Sequence, residues 1–250
     1  MNTDITFCSV RTGHELSLTL AVAADIHDFP VGSDVLRELD SVSPDYILIP
    51  GDLFEGGDEV TNSFDFIRSA SEIAPTFFSF GNHDTHSESV LDKARELGLS
   101  ILDDSFVDVD GVRIGGLSSG IREGKHHAER TPPPNTGWLE EFCGFKGMKI
   151  LLNHHPEYYI RYLRDLNIDL VVSGHAHGGQ WRFFGRGVYA PGQGIFPRYT
   201  AGVEDGRLVI SRGMANRASL IPRINNRPEL VIIRTGHDCS AETPVQSSAI

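Results

Sequence analysis

Cysteine is scarce in this chain. Cys8, Cys143 and Cys239 are the only three in 250 residues, and an odd, widely spaced set offers no disulfide framework and suits a reducing compartment. Long apolar runs are missing as well: none approaches the ~20 residues of a membrane span. The opening MNTDITFCSV carries an Asp where a secretory leader would carry positive charge. A cytoplasmic location without a transmembrane segment is the expectation, with peripheral membrane contact left open. Positive charge is in deficit, 22 Lys and Arg against 34 Asp and Glu, for a net charge of −12. Nucleic-acid binders gain affinity by displacing phosphate counterions with basic side chains, so no nucleic-acid partner is expected. The same deficit disfavours a polybasic face on anionic membrane. No G-K-S/T sequence occurs, which removes a P-loop.

What is present reads as a globular α/β protein. Hydrophobic residues make up 40% of the chain and are spread along it, so disordered, collagenous and coiled-coil chains are ruled out. A chain of this size buries roughly three quarters of its unfolded surface in one core. Segments 17–25, 45–50, 75–80, 112–117, 149–153 and 168–174 are apolar, weakly alternating and bounded by turn residues, as strands covered on both faces are. Helical stretches at 34–39, 60–73 and 87–97 alternate with the early strands. From Gly178 onward, short strands broken by Gly and Pro predict antiparallel sheet. The fold class is thus α/β, a four-layer α/β/β/α sandwich of two mixed sheets flanked by helices. Residues 1–238 are expected to form a single domain. The small, polar residues 239–250 are expected to be a flexible tail, and 118–137, with Pro132 to Pro134 and the pair His126–His127, a long loop or cap.

Five of these strands run directly into potential metal ligands. They lead to Asp25-Ile26-His27, Gly51-Asp52, Gly81-Asn82-His83-Asp84, Asn153-His154 and Gly174-His175-Ala176-His177. Carboxyl ends of strands in an α/β sheet open onto one crevice, so five separate ends can converge on one site. Each pair alone is common. Their order and their repeated place after a hydrophobic strand make a chance grouping a poor explanation.

The series ADIH, GDLFE, GNHD, NHHP and GHAH resembles the motif series of the calcineurin-like metallophosphoesterase superfamily: D-x-H, G-D-x-x-D/E, G-N-H-D/E, H and G-H-x-H. The continuation through SRG and PRINNRPEL is similar to the branch of small bacterial phosphodiesterases that includes YkuE-like and YaeI-like proteins. The resemblance implies the metallophosphoesterase fold and a hydrolase with two divalent ions, manganese, zinc or iron. Paired ions about 3.5–4 Å apart can hold a bridging hydroxide, polarise a phosphoryl oxygen and stabilise the leaving group. By the same resemblance Asp52 bridges, Asp25, His27 and His177 complete one metal, and Asn82, His154 and His175 complete the other. His83 would protonate the departing oxygen, oriented by Asp84. The implied substrate is a small-molecule phosphodiester or a pyrophosphate-linked compound. A UDP-linked acylated sugar is the alternative, and an inactive scaffold that kept the fold is a further one. A metal-storage protein fits less well, because of the open coordination position and a positioned His83.

Several neighbours keep two readings. Glu55 supports the ligands from behind or starts a helix. Asp84 also suits the N-terminal end of the helix after Ser87, and His155 can exchange with His154 as the ligand. Arg198, Arg212 and Arg223 match phosphate oxygens bidentately, though ordinary surface roles are commoner. Trp181, Phe183 and Phe184 read as core packing ahead of pocket lining, and the glycines from 174 to 194 read as turn formers.

Overall fold

The computed structural model describes residues 3–56, 60–121, 131–215, 217–218, 221–237 and 245–248. His126, His127 and Cys239 lie outside them. The chain opens with β1 (Asp4–Arg11) and β2 (Thr19–Val22), continues through α1 (Ser33–Val42), β3 (Tyr46–Pro50), α2 (Thr61–Ile73), β4 (Thr76–Ser79), α3 (Glu88–Glu96) and β5 (Leu99–Ile101), and then makes β6 (Ser105–Val109) and β7 (Val112–Leu117). α4 (Leu139–Cys143), β8 (Met148–Asn153), α5 (Pro156–Tyr158) with a following π turn, and β9 (Leu170–Ser173) come next. Short strands follow: β10 (Arg182–Phe183), β11 (Arg186–Gly187), β12 (Tyr189–Ala190), β13 (Gly194–Ile195), β14 (Gly202–Glu204), β15 (Leu208–Ile210), β16 (Arg217–Ala218) and β17 (Ile221–Pro222). β18 (Glu229–Gly236) and β19 (Val245–Ser248) close the chain.

Two mixed sheets stack. One has seven strands in the order β19-β1-β18-β2-β3-β4-β5, the other six in the order β14-β15-β9-β8-β7-β6. Leu20, Val22, Leu48 and Phe77 of the first meet Ile114, Ile150, Leu152 and Val172 of the second in an inter-sheet core. The opposite face of the first sheet, through Ala21, Ile47, Ile49 and Phe78, receives Val35 and Leu39 of α1, Phe66, Ile67 and Ala70 of α2, and Val90 and Ala94 of α3. Those helical positions recur at intervals of three and four, placing each set on one stripe. Leu151, Val171 and Ile210 on the outer face of the second sheet pack on Leu139, Phe142, Tyr158 and Leu163. Four layers result. β3, β4, β8 and β9 are buried at every residue, which is why their sequences are continuous apolar runs without alternation.

Two expectations are corrected. The late strands are only partly antiparallel: β15 runs parallel to β9 and β18 parallel to β1, because long connections return the chain in the same direction. The tail is not wholly free either. Val245–Ser248 pair antiparallel with Phe7 to Asp4 as an edge strand, drawn by the backbone groups that β1 would otherwise leave open.

Candidate metal centre

β2, β3 and β4 run parallel in the first sheet, as do β8 and β9 in the second. Their five carboxyl ends deliver Asp25 and His27, Asp52, Asn82 and His83, His154, and His175 and His177 to one place. The turns are stitched together by backbone hydrogen bonds: the His27 amide donates to the Asp52 carbonyl (2.9 Å), Asp25 to Gly51 (3.2 Å) and Gly174 to His154 (3.2 Å). Asp25, His27, Asp52, His175 and His177 all have left-handed backbone, with φ between 44° and 64°. That region costs an L-residue about 1–2 kcal/mol and persists where the surroundings over-determine it, commonly at functional sites.

Close approach explains two of the glycines. A Cβ on Gly81 would meet Asp52 Oδ1 at 2.1 Å, and one on Gly51, at φ 90°, would meet His154 Nδ1 at 2.5 Å. These residues do more than turn the chain: they let one ligand-bearing loop lie against the next.

The donor atoms fall into overlapping groups. Asp52 Oδ2 lies 3.6 Å from His27 Nε2 on one side and 3.1 Å from His154 Nε2 on the other. Asp25, His27 and His177 form one group, with His177 Nε2 3.7 Å from Asp25 Oδ1. Around His154 Nε2 lie Asn82 Oδ1 at 3.1 Å and His175 Nδ1 at 3.2 Å. All seven residues are buried. The ring nitrogens facing away are already engaged: His154 Nδ1 is 2.9 Å from the Pro50 carbonyl, and His27 Nδ1 is 2.5 Å from Glu55 Oε2. A ring nitrogen held by an outer acceptor leaves the other free to bind metal, and His27 Nε2 is buried with no hydrogen-bond partner. Imidazole, carboxylate and amide oxygen facing one another in this way fit a divalent transition ion.

Electrostatics support the same picture. Burial raises the Asp52 carboxyl, but the His154 imidazole beside it outweighs that and holds it well below the usual carboxylate range. Asp25 is shifted upward, by burial and then by the charge of Asp52, against His154 and the amide of His175. Two carboxylates at close quarters with one raised mark a place where positive charge is wanted. Burial works against the charge on His154, yet Asp52 carries its pKa up to about 10. His177 is pushed well below its ordinary value by burial and by the neighbouring His27.

His83 stands at the rim, 44% exposed, with Nδ1 3.3 Å from Glu55 Oε1. Burial lowers its pKa, and the bond to Glu55 overrides this and lifts it to about 9. Glu55 is raised by burial and lowered further by His27 and His83, to about 2. The expectation that Asp84 orients His83 is corrected. Asp84 Oδ2 accepts the amides of Asp52 (2.7 Å) and Gly81 (2.6 Å), and Oδ1 accepts that of Phe54 (3.0 Å). Three backbone donors aim at Asp84, so it fixes the loops that carry Asp52 and Asn82, while Glu55 holds the ring. Sequence reasoning weighed Glu55 without deciding; its place as the last residue of GDLFE was the signal. His155 is buried beside His154 and His175 and groups with them as a further possible ligand set, while its Nε2 lies 2.8 Å from Ser119 Oγ.

Of the three arginines, Arg198 pairs with Glu204 on the surface and Arg212 is buried between Asp4 and Glu229. Arg223 alone reaches the centre, its Nη2 3.3 Å from His177 Nδ1. Trp181, Phe183 and Phe184 are exposed, a correction of the core-packing expectation: they sit on and beside the short β10–β11 hairpin.

A family model described as calcineurin-like phosphoesterase matches residues 18–179. The chain belongs to that family. It is a metal-dependent phosphohydrolase, and the matched stretch contains the turns that carry Asp25, Asp52, Asn82, His154 and His175. It is 29% identical over 226 residues to YpbG of Bacillus subtilis (strain 168), described as uncharacterized, covering 86% of this chain and 80% of that one. Over 211 residues it is 28% identical to the phosphodiesterase YaeI of Escherichia coli (strain K12), covering 76% and 70% respectively. Among solved structures, TT1561 of Thermus thermophilus aligns at 16% identity and a TM-score of 0.45, over 64% of this chain and 82% of that one.

Proposed function

We propose that this phosphoesterase hydrolyses phosphodiesters or pyrophosphate-linked small molecules at a centre of two divalent ions. The supporting observation is the position of Asp52, whose Oδ2 faces His27 Nε2 and His154 Nε2 from between the two ligand groups. Asp25, His27 and His177 would hold one ion, Asn82, His154 and His175 the other, with Asp52 shared. Bound there, divalent ions supply positive charge for the phosphoryl oxygens and an activated water for in-line attack. The protein fixes the ligands through Asp84 and Glu55 and excludes water below the centre with the buried strand ends. His83, exposed at the rim and held by Glu55, donates its proton to the departing oxygen. The diester preference is supported by the likeness to a relative named as a phosphodiesterase.

The test combines metal analysis with turnover of bis-p-nitrophenyl phosphate and p-nitrophenyl phosphate, before and after stripping and readdition of manganese or zinc. The reading expects about two ions per chain and diester-selective, metal-restored turnover. Asp52→Asn is expected to lose both metal and activity, and one retained ion with full activity would remove the bridge. His83→Ala should keep its metal and lose roughly 10²–10⁴-fold in rate, least on esters with good leaving groups. Equal losses on good and poor leaving groups would overturn the proton-donor role.

A further inference from the structure

The segment PRINNRPEL, residues 222–230, lies beyond the matched family stretch, which ends at residue 179, yet it reaches the metal centre. Between β17 and β18 it runs beside the turn that follows His175. Ile224 donates to the Gln180 carbonyl (3.3 Å) and Arg182 to that of Ile224 (3.0 Å), so the two stretches of chain are laced together next to a ligand.

That turn needs outside support. His177, Gly178, Gly179 and Gln180 are left-handed in succession, with φ of 44°, 64°, 77° and 58°. The two residues that are not glycine each bear a conformational cost, and such backbone persists only where its surroundings over-determine it. Asn226 supplies the constraint. Its side chain is buried, and Nδ2 donates to the carbonyls of His177 (2.7 Å) and Gln180 (3.1 Å), one at each end of the turn. Two carbonyls facing one end of a carboxamide settle which end is the amide nitrogen, since only that end donates. Gly178 makes the approach possible: a Cβ there would meet Asn226 Oδ1 at 2.3 Å.

The ring of His177 is held differently from two of its neighbours. His27 Nδ1 and His154 Nδ1 each face an acceptor, the Glu55 carboxylate and the Pro50 carbonyl. His177 Nδ1 faces Arg223 Nη2 at 3.3 Å, and a guanidinium has no acceptor to offer. No outer acceptor among the described residues sets this ring, so its aim comes from the backbone that carries it. We propose that Asn226 is a positioning residue of the metal centre, fixing the turn that aims His177 at the ion shared with Asp25 and His27. This rests on the ligand assignment made above. The second ion, assigned to Asn82, His154 and His175, is outside its reach except through the shared Asp52.

Manganese titration of the stripped, purified full chain tests this without turnover. Asn226→Ala is expected to weaken one of the two ions about 10–100-fold, as loss of an outer support of a ligand does, and to leave the other within about threefold. A contact that merely supports the fold would weaken both alike, so equal weakening, or none, overturns the proposal. Hydrogen exchange of the wild type covers a variant that does not fold. Manganese should slow exchange in residues 177–182 and 222–228 together, although the second segment contributes no ligand; slowing confined to the first, or to neither, overturns the proposal. A wild type that takes up a single ion refutes the two-ion reading on its own account. Asn226 is then judged on that ion, whose affinity in Asn226→Ala either falls about tenfold or more, as expected, or does not, which overturns its role.

Discussion

Glu55, in place of Asp84, holds the His83 ring, and the reason is directional. A carboxylate beside a histidine in sequence need not face it, and Asp84 points at three amides while Glu55, distant in sequence from both rings, reaches His83 and His27. That these side chains would share one site was legible because each follows a strand that had to be buried, so its end had to lie at the sheet's rim. The groups behind them were less so, since hydrogen-bond direction depends on loops brought together from distant sequence. Glu55→Ala should therefore cost about 10–100-fold in metal affinity or activity, as removal of an outer partner of a metal-binding histidine does. Metal titration of the variant checks this, and unchanged affinity together with unchanged turnover would make Glu55 a bystander.

At the scale of elements, the central strands were readable as apolar runs, and α1 to α3 as periodic stripes. β1 was not, because Asp4, Thr6 and Ser9 interrupt the apolar run of a strand that is buried along most of its length. β18 reads as one more late strand until its register with β1 and β2 is seen. Strand order is invisible to local pattern. The hairpins after Gly179 were foreseen as turns and short strands, while the exposure of their aromatics was not. Ile150 on β8 is fully buried between the sheets, and Ile150→Ala is expected to destabilise by about 2–5 kcal/mol. Urea unfolding measures this, and a loss below about 1 kcal/mol would mean that the inter-sheet core re-closes around the smaller side chain.

For the whole molecule, the buried pair Asp25 and Asp52 makes folding depend on positive charge at the centre. Chelation is expected to lower the melting temperature by roughly 5–10 °C, taking a ligand at a hundredfold its Kd and a chain of this length. Restoring manganese or zinc should return it, and a melting curve indifferent to chelator would contradict the ligand assignment. Chain order has a consequence for synthesis. β1 lies between β18 and β19, so both its neighbours are translated long after it. Asp4 cannot meet Glu229 until the residues between them have been translated. The nascent protein therefore carries β1 unpaired until β18 emerges, a window in which a holdase has something to bind and in which premature termination leaves a product that cannot close its sheet.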